Sequence, residues 1–339
     1  MKIGIICNLK DKNLDSEYSE EFDTIETIQA ITEILTKHGH DAVHLEANPK
    51  IAQLALENKI DFAINLAEGY FGRSRESQIP ALLEMLNIPY SGSDPITLGL
   101  ALDKVLAKRV ASHCKVPTPN YSVLKNKEDL AGIGNKLKYP LITKPCWEGS
   151  SKGIYNRSKS TVLGELEENI KHLWSKYPHQ PILVEEYIKG REITVGIIGN
   201  SNPQVLGIME IANKNATADD FFYSLETKRD WKKLVDYIVP TRLGTSLEDK
   251  IKQYALLLFK EFDCRDIARV DFRVSAQNEI FFLEINPLPG LSPQYSDLVI
   301  MSRKHSLSYE DLICKIVSCA FARYGFVFQE ASKNNYARA

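Results

Sequence analysis

The apolar positions of the first 90 residues come in short runs separated by longer amphipathic stretches. Ile3-Gly4-Ile5-Ile6-Cys7 is a run of strand length, followed by Asn8 and charged residues. From Thr24 to His38, Ile25, Ile28, Ile31, Ile34 and Leu35 recur at helical spacing, and Gly39 supplies a stop. Ala42-Val43-His44-Leu45 and Phe62-Ala63-Ile64-Asn65-Leu66 read as further strands. This β-α-β rhythm predicts a small parallel sheet. No GxGxxG follows the first strand, so a dinucleotide site is not indicated there.

A second block follows the turn-rich Pro89-Tyr90-Ser91-Gly92-Ser93-Asp94-Pro95. It reads as one helix around Leu98 to Ser112, then Pro117-Thr118-Pro119, then the strand Leu141-Ile142-Thr143-Lys144. The third block, Ile182 to about Phe328, is richest in strands: Ile182 to Val184, Ile193 to Ile198, Val205 to Ile211, Ala268 to Val274 and Ile280 to Ile285. Lys333 to Ala339 are polar and expected to fray. Neither internal repeats nor low-complexity segments interrupt the pattern.

At 339 residues the chain exceeds what one compact core holds, so two or three domains are expected. Lys plus Arg number 42 and Asp plus Glu 44, a formal charge of −2. No whole-molecule field attracts nucleic acid or an anionic membrane, and any bound anion must be held by a local cluster of cations. No apolar run reaches the roughly 18 residues that span a bilayer. The N-terminus lacks the longer apolar core and cleavage site of a signal peptide. Six cysteines without a CxxC pair make neither a disulfide framework nor a zinc site. The expectation is a reduced, cytoplasmic protein of enzyme size.

Four stretches carry candidate chemistry. Lys144-Pro145-Cys146-Trp147-Glu148-Gly149-Ser150-Ser151-Lys152-Gly153 places a strand-end lysine before a loop of glycines and serines. Such backbone N–H groups and hydroxyls make a phosphate cradle, although the GxxxxGK(S/T) order is absent and a flexible hairpin is the alternative. In Ala268-Arg269-Val270-Asp271-Phe272-Arg273-Val274 the alternation puts Arg269, Asp271 and Arg273 on one face. In the next strand Glu284 and Asn286 share a face, and a hairpin pairing Asp271 with Glu284 gathers oxygen ligands suited to Mg²⁺. A solvated face with an Arg–Asp–Glu salt bridge is the competing explanation. Asn286-Pro287-Leu288-Pro289-Gly290-Leu291-Ser292 forms a rigid turn directly after those acids. Ile182 to Glu192 reads as an apolar strand running into paired acids, with the look of an interdomain linker.

Read in order, these pieces resemble the D-alanine–D-alanine ligases of the ATP-grasp superfamily. The matching stretches are Asn87 to Ser93, Leu102 to Lys108, Lys144 to Gly153, Val184 to Thr194, Phe222 to Lys228, Ala268 to Asp271 and Leu283 to Gly290. The resemblance implies an α/β (α+β) architecture with a parallel-sheet domain over 1–92. A central subdomain with the phosphate loop over 93–184, a C-terminal subdomain with the metal site over 185–330 and a tail over 331–339 would follow. It implies that Lys104 and Lys144 contact ATP phosphates under a loop containing Glu148, Ser150 and Ser151. Glu185, Glu186 and Ile188 would line the adenine, Glu192 would hold the ribose, and Phe222 and Leu283 would sandwich the base. Lys228 would reach the terminal phosphates. Asp271, Glu284 and Asn286 would ligate two Mg²⁺ ions, for which Mn²⁺ can substitute, and Arg269 with the Gly290 backbone would steady an oxyanion.

The implied reaction phosphorylates a carboxylate and lets an amine attack the acyl phosphate, giving a peptide bond of the kind used in cell-wall synthesis. Positioned cations matter more to such a step than a protein nucleophile. A closing loop must exclude water, and Asp220 to Asp236 is a second candidate lid. The amino-acid half departs from the family. Glu68 stands where its members carry histidine before glycine, Gly72-Arg73-Ser74-Arg75-Glu76 replaces an acidic run, and Arg229 replaces a lid tyrosine. Glu20 or Glu21 is the candidate for the substrate's amino group, and Ser292 or Ser296 for a carboxylate. Substrates are small amino acids, and ligases of this kind are commonly homodimers. Charges at Glu68, Arg73, Arg75 and Arg229 would suit a larger or charged substrate if they line the pocket. The alternatives are a ligase joining other amino acids in secondary metabolism and a nucleotide-binding protein without catalysis.

Overall fold

The computed structural model describes residues 1–11, 17–215, 217 and 220–328; the polar tail lies outside the described residues. The chain runs β1 (Lys2–Cys7), α1 (Ile25–Lys37), β2 (Asp41–Glu46), α2 (Ile51–Asn58), β3 (Phe62–Asn65), α3 (Gln78–Met85), α4 (Pro95–Leu102) and α5 (Lys104–His113). There follow β4 (Tyr121–Leu124), α6 (Ile133–Lys136), β5 (Leu141–Pro145), β6 (Lys159–Ser160), α7 (Leu163–Lys176) and β7 (Ile182–Glu186). The remainder is β8 (Gly190–Ile198), β9 (Gln204–Asn213), α8 (Leu225–Arg229), α9 (Trp231–Leu234), β10 (Val235–Ile238) and α10 (Thr245–Glu261). It closes with β11 (Ile267–Ser275), β12 (Ile280–Asn286), α11 (Asp297–Lys304) and α12 (Tyr309–Arg323).

These elements build three sheets. The first is parallel in the order β2-β1-β3, as the β-α-β rhythm predicts. The other two are antiparallel, β4-β7-β5-β6 and β10-β9-β8-β11-β12. The hairpin β11–β12 pairs Asp271 with Glu284, as expected, and Arg269 with Asn286, through a bulge between Asp271 and Phe272; the register set at the turn would pair Asp271 with Leu283. Glu185 and Glu186 are not linker residues. They end β7, an inner strand, and only Tyr187-Ile188-Lys189 joins the two antiparallel sheets.

The helix expected over Leu98 to Ser112 is two helices. Asp103 is extended at φ −78° and ψ 101°, and its Oδ1 accepts the N–H groups of Val105 and Leu106, both at 3.0 Å. A side chain that satisfies two orphan N–H groups starts a new helix, even inside a run of helix-compatible residues. Asp94 does the same for α4, taking the Thr97 N–H at 2.9 Å with Pro95 in the first turn.

The parallel sheet buries one face against the far end of the chain. Ile3, Ile5, Phe62 and Ile64 share a core with Leu312, Ile316, Val317 and Phe321 of α12. A second core joins α10 to β8, β11 and β12, and takes in Ala101, Ala107 and Ala111 from α4 and α5. Beneath α12, Asp266 is fully buried and takes Arg323 Nη2 at 2.7 Å, Asn200 Nδ2 at 3.0 Å and the Gly92 N–H at 2.8 Å. Arg323 also donates to the carbonyls of Tyr90 and Gly92. All six cysteines are free thiols, and no helix among the described residues is long and apolar enough to cross a membrane.

Removing one partner of a buried ion pair leaves the other charge uncompensated, at about 3–5 kcal/mol. Arg323→Ala should therefore lower the urea midpoint by an amount of that order, because Asp266 would keep only neutral donors. A change in unfolding free energy under about 1 kcal/mol would show that the pair does not tie α12 to the segment before β11.

Candidate active site

One cavity of about 370 Å³ lies between the two antiparallel sheets and is closed at one end by the first sheet's loops. Strand alternation decides what reaches it. β5 contributes Lys144, β7 Glu185, β8 Glu192 and Thr194, β11 Arg269, Asp271 and Arg273, and β12 Glu284 and Asn286. The first residue of α5 adds Lys104.

Three lysines and two acids form the polar floor. Glu185 Oε2 forms an ion pair with Lys108 Nζ at 2.8 Å, and its other oxygen accepts a hydrogen bond from Lys144. Lys108, one helical turn after Lys104, also donates to Thr118 Oγ1 at 2.8 Å and is fully buried. Burial alone would raise the Glu185 carboxyl, but Lys108 and Lys144 outweigh it and hold its pKa at about 2. Lys104 Nζ bridges the Glu148 carbonyl at 2.5 Å and Glu284 Oε2 at 3.0 Å. Burial opposes the charge of both members of the latter pair; Lys104 and Lys144 nonetheless hold Glu284 at about 2, and Glu284 keeps the Lys104 ammonium above its ordinary value.

Next to them, Arg269 is clamped by carboxylates. Its Nη2 and Nε meet Asp271 at 2.9 and 3.0 Å, and Nη1 meets Asp297 at 3.3 Å. Asp297 is steadied by the Tyr237 hydroxyl at 3.0 Å. Asp271 also accepts Thr194 Oγ1 at 2.6 Å and Asn286 Nδ2 at 3.0 Å. Burial raises the Asp271 pKa and Glu284 adds to this, so Arg269 does not fully neutralise the pair of acids. Arg273 meets Glu192 at 3.1 Å and donates to the Ile188 carbonyl, while burial lifts the Glu192 carboxyl to about 7.

The loop after β5 crosses this floor. Ser150 and Ser151 take left-handed φ values of 49° and 60°, and Gly149 packs so closely on Glu21 that a Cβ would stand 2.4 Å from its Oε1. Ser151 Oγ donates to the Tyr223 carbonyl at 2.8 Å, and the Leu225 N–H to the Ile154 carbonyl at 2.8 Å. The segment from Asp220 onward is therefore laid against the loop, with Phe222, Lys228 and Arg229 lining the cavity.

Of the residues expected at the nucleotide, Lys104, Lys144, Ser150, Ser151, Glu185, Glu186, Ile188, Glu192, Phe222, Lys228 and Leu283 line this one cavity. The Glu186 carboxylate is turned aside, taking Asn120 Nδ2 at 3.0 Å and the Lys138 N–H at 2.8 Å. Glu148 does not line it. Its carboxylate holds Lys152 at 2.5 Å and Gln180 at 2.8 Å and faces a neighbouring groove. Asp271, Glu284, Asn286, Arg269 and Gly290 lie together, with Ser292 and Ser296 beside them.

At the amino-acid end, Glu20 and Glu21 both line the cavity but serve different partners. Glu20 binds Arg229 at 2.9 Å, whereas Glu21 is buried between Arg75 at 2.7 Å and Lys152 at 2.5 Å. Glu68 lines the cavity as well. Arg73 does not: it is half exposed and paired with Asp103 at 2.7 Å, and Arg75 is consumed by Glu21. The sequence reading passed over Lys108, Lys152, Glu76, Thr194 and Asp297. Lys108 was legible from its helical spacing of four after Lys104; the others are joined only by tertiary contacts.

Replacing Glu185 by alanine would leave two lysines facing each other in a dry site. We expect Glu185→Ala to lose about 3 kcal/mol or more of stability and to weaken nucleotide binding through misplacement of Lys144, read by urea unfolding and ADP titration. In the wild type this carboxylate's folded pKa is depressed. Its contribution is complete above the ordinary carboxylate range and lost as pH falls from about 4.5 toward 2. An unchanged unfolding midpoint in the variant at neutral pH would contradict this.

Likeness to known proteins agrees with the geometry. The family described as D-ala D-ala ligase C-terminus matches residues 111–318. The D-alanine--D-alanine ligase of Carboxydothermus hydrogenoformans is 34% identical over 325 residues, covering 94% of this chain and 97% of that protein. The ligase of the same name from Pelotomaculum thermopropionicum is 29% identical over 335 residues, covering 96% and 98%. The structure of D-alanine--D-alanine ligase from Bacillus anthracis complexed with ATP superposes with a TM-score of 0.76 at 25% identity, over 96% of this chain and 99% of that one. Sheet order, polar floor and near full-length likeness converge, and the chain belongs to the D-alanine–D-alanine ligase family, ATP-dependent ligases that form carbon–nitrogen bonds.

Proposed function

We propose that this protein joins two amino acids by an amide bond, with D-alanine the first candidate for both, through an acyl phosphate made from ATP. The observation that carries the reading is the convergence of Lys104, Lys144, Arg269 and three oxygen-bearing side chains on one cavity roofed by a serine–glycine loop.

Lys104 and Lys144 meet the phosphates, and Lys228 approaches them from the opposing segment. Phe222, Leu283, Ile142 and Ile211 give an apolar slot for the base, next to the backbone of Glu186 to Ile188. A substrate carboxylate oxygen attacks the terminal phosphorus and ADP leaves. The second substrate's amine then attacks the acyl carbon, phosphate departs and the nitrogen loses its proton. Arg269, held by Asp271 and Asp297, presents its guanidinium to the oxyanion with little reorganisation to undergo. Ser150 and Ser151 close the loop over the phosphates and keep water from the acyl phosphate.

The donor set fits Mg²⁺. Asp271, Glu284 and Asn286 offer hard oxygens from facing positions of one hairpin, and burial, with Glu284 beside it, raises the Asp271 carboxyl although Arg269 opposes this. Among the described residues no three His, Cys, Asp or Glu side chains gather as a complete cage. That suits a cation which keeps phosphate and water ligands. When bound, such ions neutralise phosphate charge during transfer.

The test is ATP-dependent phosphate release against D- and L-amino acids, singly and in pairs, with mass detection of product. D-alanine alone should yield the dipeptide; phosphate release without any amide product would overturn the ligase reading. Glu284→Gln and Lys144→Ala should each reduce turnover at least about a hundredfold with circular dichroism unchanged. Full activity in either would refute the site assignment.

A further inference from the structure

At the end of the cavity nearest the first sheet, Glu21, Glu68 and Glu76 gather about Arg75 and Lys152, with Lys104 near Glu76 and with Glu148 reaching Lys152 from the neighbouring groove. Three of the acids are engaged. Glu21 holds Arg75 and Lys152, Glu148 holds Lys152 at 2.5 Å, and Glu76 meets Arg75 Nη1 at 3.4 Å. Glu68 is the exception. Among the described residues no group donates a hydrogen bond to its carboxylate and no cation lies within 4 Å of it, yet it lines the cavity.

Its backbone is fixed. Glu68 sits just past the C-terminal end of β3, where the Leu66 N–H bonds the Ile6 carbonyl at 2.8 Å and the Gly69 N–H bonds Asn8 Oδ1 at 2.9 Å. Gly69 has φ +73° and packs on the Arg75 backbone so tightly that a Cβ would stand 2.4 Å from its carbonyl oxygen. A side chain presented by so constrained a loop is pre-organised for a ligand. Burial, with Glu21 and Glu76 as neighbours, pushes the Glu68 carboxyl well above the usual range. A carboxylate that lines the cavity with no donor from the described residues can take either a proton or a cation brought by substrate. A divalent ion is disfavoured by the flanking Arg75 and Lys152, whereas an ammonium brings one charge and three donors.

We propose that Glu68 is the acceptor for an ammonium group of the amino-acid substrate bound at this end of the cavity, and so a specificity-determining residue. The proposal rests on the ligase reading and deepens it. Glu21, with both oxygens committed to Arg75 and Lys152, orders the loop instead of meeting substrate. Two sources share the required chemistry: the α-ammonium of a small amino acid and the side-chain ammonium of a diamino acid.

The experiment compares wild type, Glu68→Gln and Glu68→Asp as full-length proteins with ADP and Mg²⁺ present. D-alanine, D-ornithine and propionate are titrated calorimetrically, and KM values for ATP and each amino acid are measured alongside. Glu68→Gln should weaken amino-acid binding and raise its KM at least tenfold with KM for ATP within twofold, and Glu68→Asp should fall between. Propionate, which lacks the ammonium, should bind all three alike, a result that mere loosening of the loop would not produce. Loss with D-alanine identifies the α-ammonium as the partner; loss confined to D-ornithine identifies the side chain. Amino-acid affinities within twofold of wild type in folded Glu68→Gln would overturn the proposal, as would a wild type that binds neither amine. Amide formation with equal KM in wild type and Glu68→Gln would reject Glu68 and keep the ligase reading. Glu68-dependent binding without amide formation would do the reverse.

Discussion

The active cavity depends on one buried bridge, in which Glu185 stands between Lys108 and Lys144. A dry site able to receive a polyanion must hold several cations close together, and like charges in low dielectric drive one another toward deprotonation. Burial and Lys144 do lower the Lys108 pKa, and Glu185 opposes them. The acid sits on β7 and its lysines come from β5 and α5, so one carboxylate fixes the depth of the sheet against the helix. Glu284 plays the matching part for Lys104 from the other sheet. Together the two pairs join three parts of the fold through charge, where an apolar contact would leave the lysines unsatisfied.

The same logic continues at the mouth of the cavity. Three acids of a short segment before α1 reach in three directions. Glu17 accepts the hydroxyls of Tyr155 and Tyr177 at 2.5 and 2.6 Å and Lys176 at 2.6 Å, Glu20 takes Arg229, and Glu21 takes Arg75 and Lys152. The segment therefore touches the phosphate loop, the helix after the central sheet's short β6 and the lid-side helix at once. Its carboxylates hold the cavity's walls at a common spacing, and the closing loop gains fixed points to rest on.

The groups proposed for catalysis are held more by other side chains than by backbone. Arg269 is aimed by Asp271 and Asp297, the latter by Tyr237, and Asp271 by Thr194 across the β8–β11 pairing. Such layering places donors before substrate arrives, which is how an enzyme avoids reorganising around developing charge. Glu68 stands apart because its loop is anchored while, among the described residues, its carboxylate has no hydrogen-bond or ion-pair partner.

Period-two alternation put Arg269 and Asp271 on one face of β11 and Glu284 and Asn286 on one face of β12, since a strand's faces are set locally, while the bulge between Asp271 and Phe272 that brings the two faces together left no mark in the pattern. Local patterning likewise made the parallel sheet legible. Asp103 defeated the helical period because a side-chain cap outweighs propensity at a single position. The partners of Glu21, the turning aside of Glu148 and the solitude of Glu68 were out of reach. Each depends on separate loops meeting in space, and no periodicity encodes which charged groups will neutralise one another once buried. By itself, then, the sequence determined the main strands, their apolar faces and the residue types proposed to meet the nucleotide. The tertiary structure alone decided which carboxylates are consumed in holding the fold and which remains for a ligand.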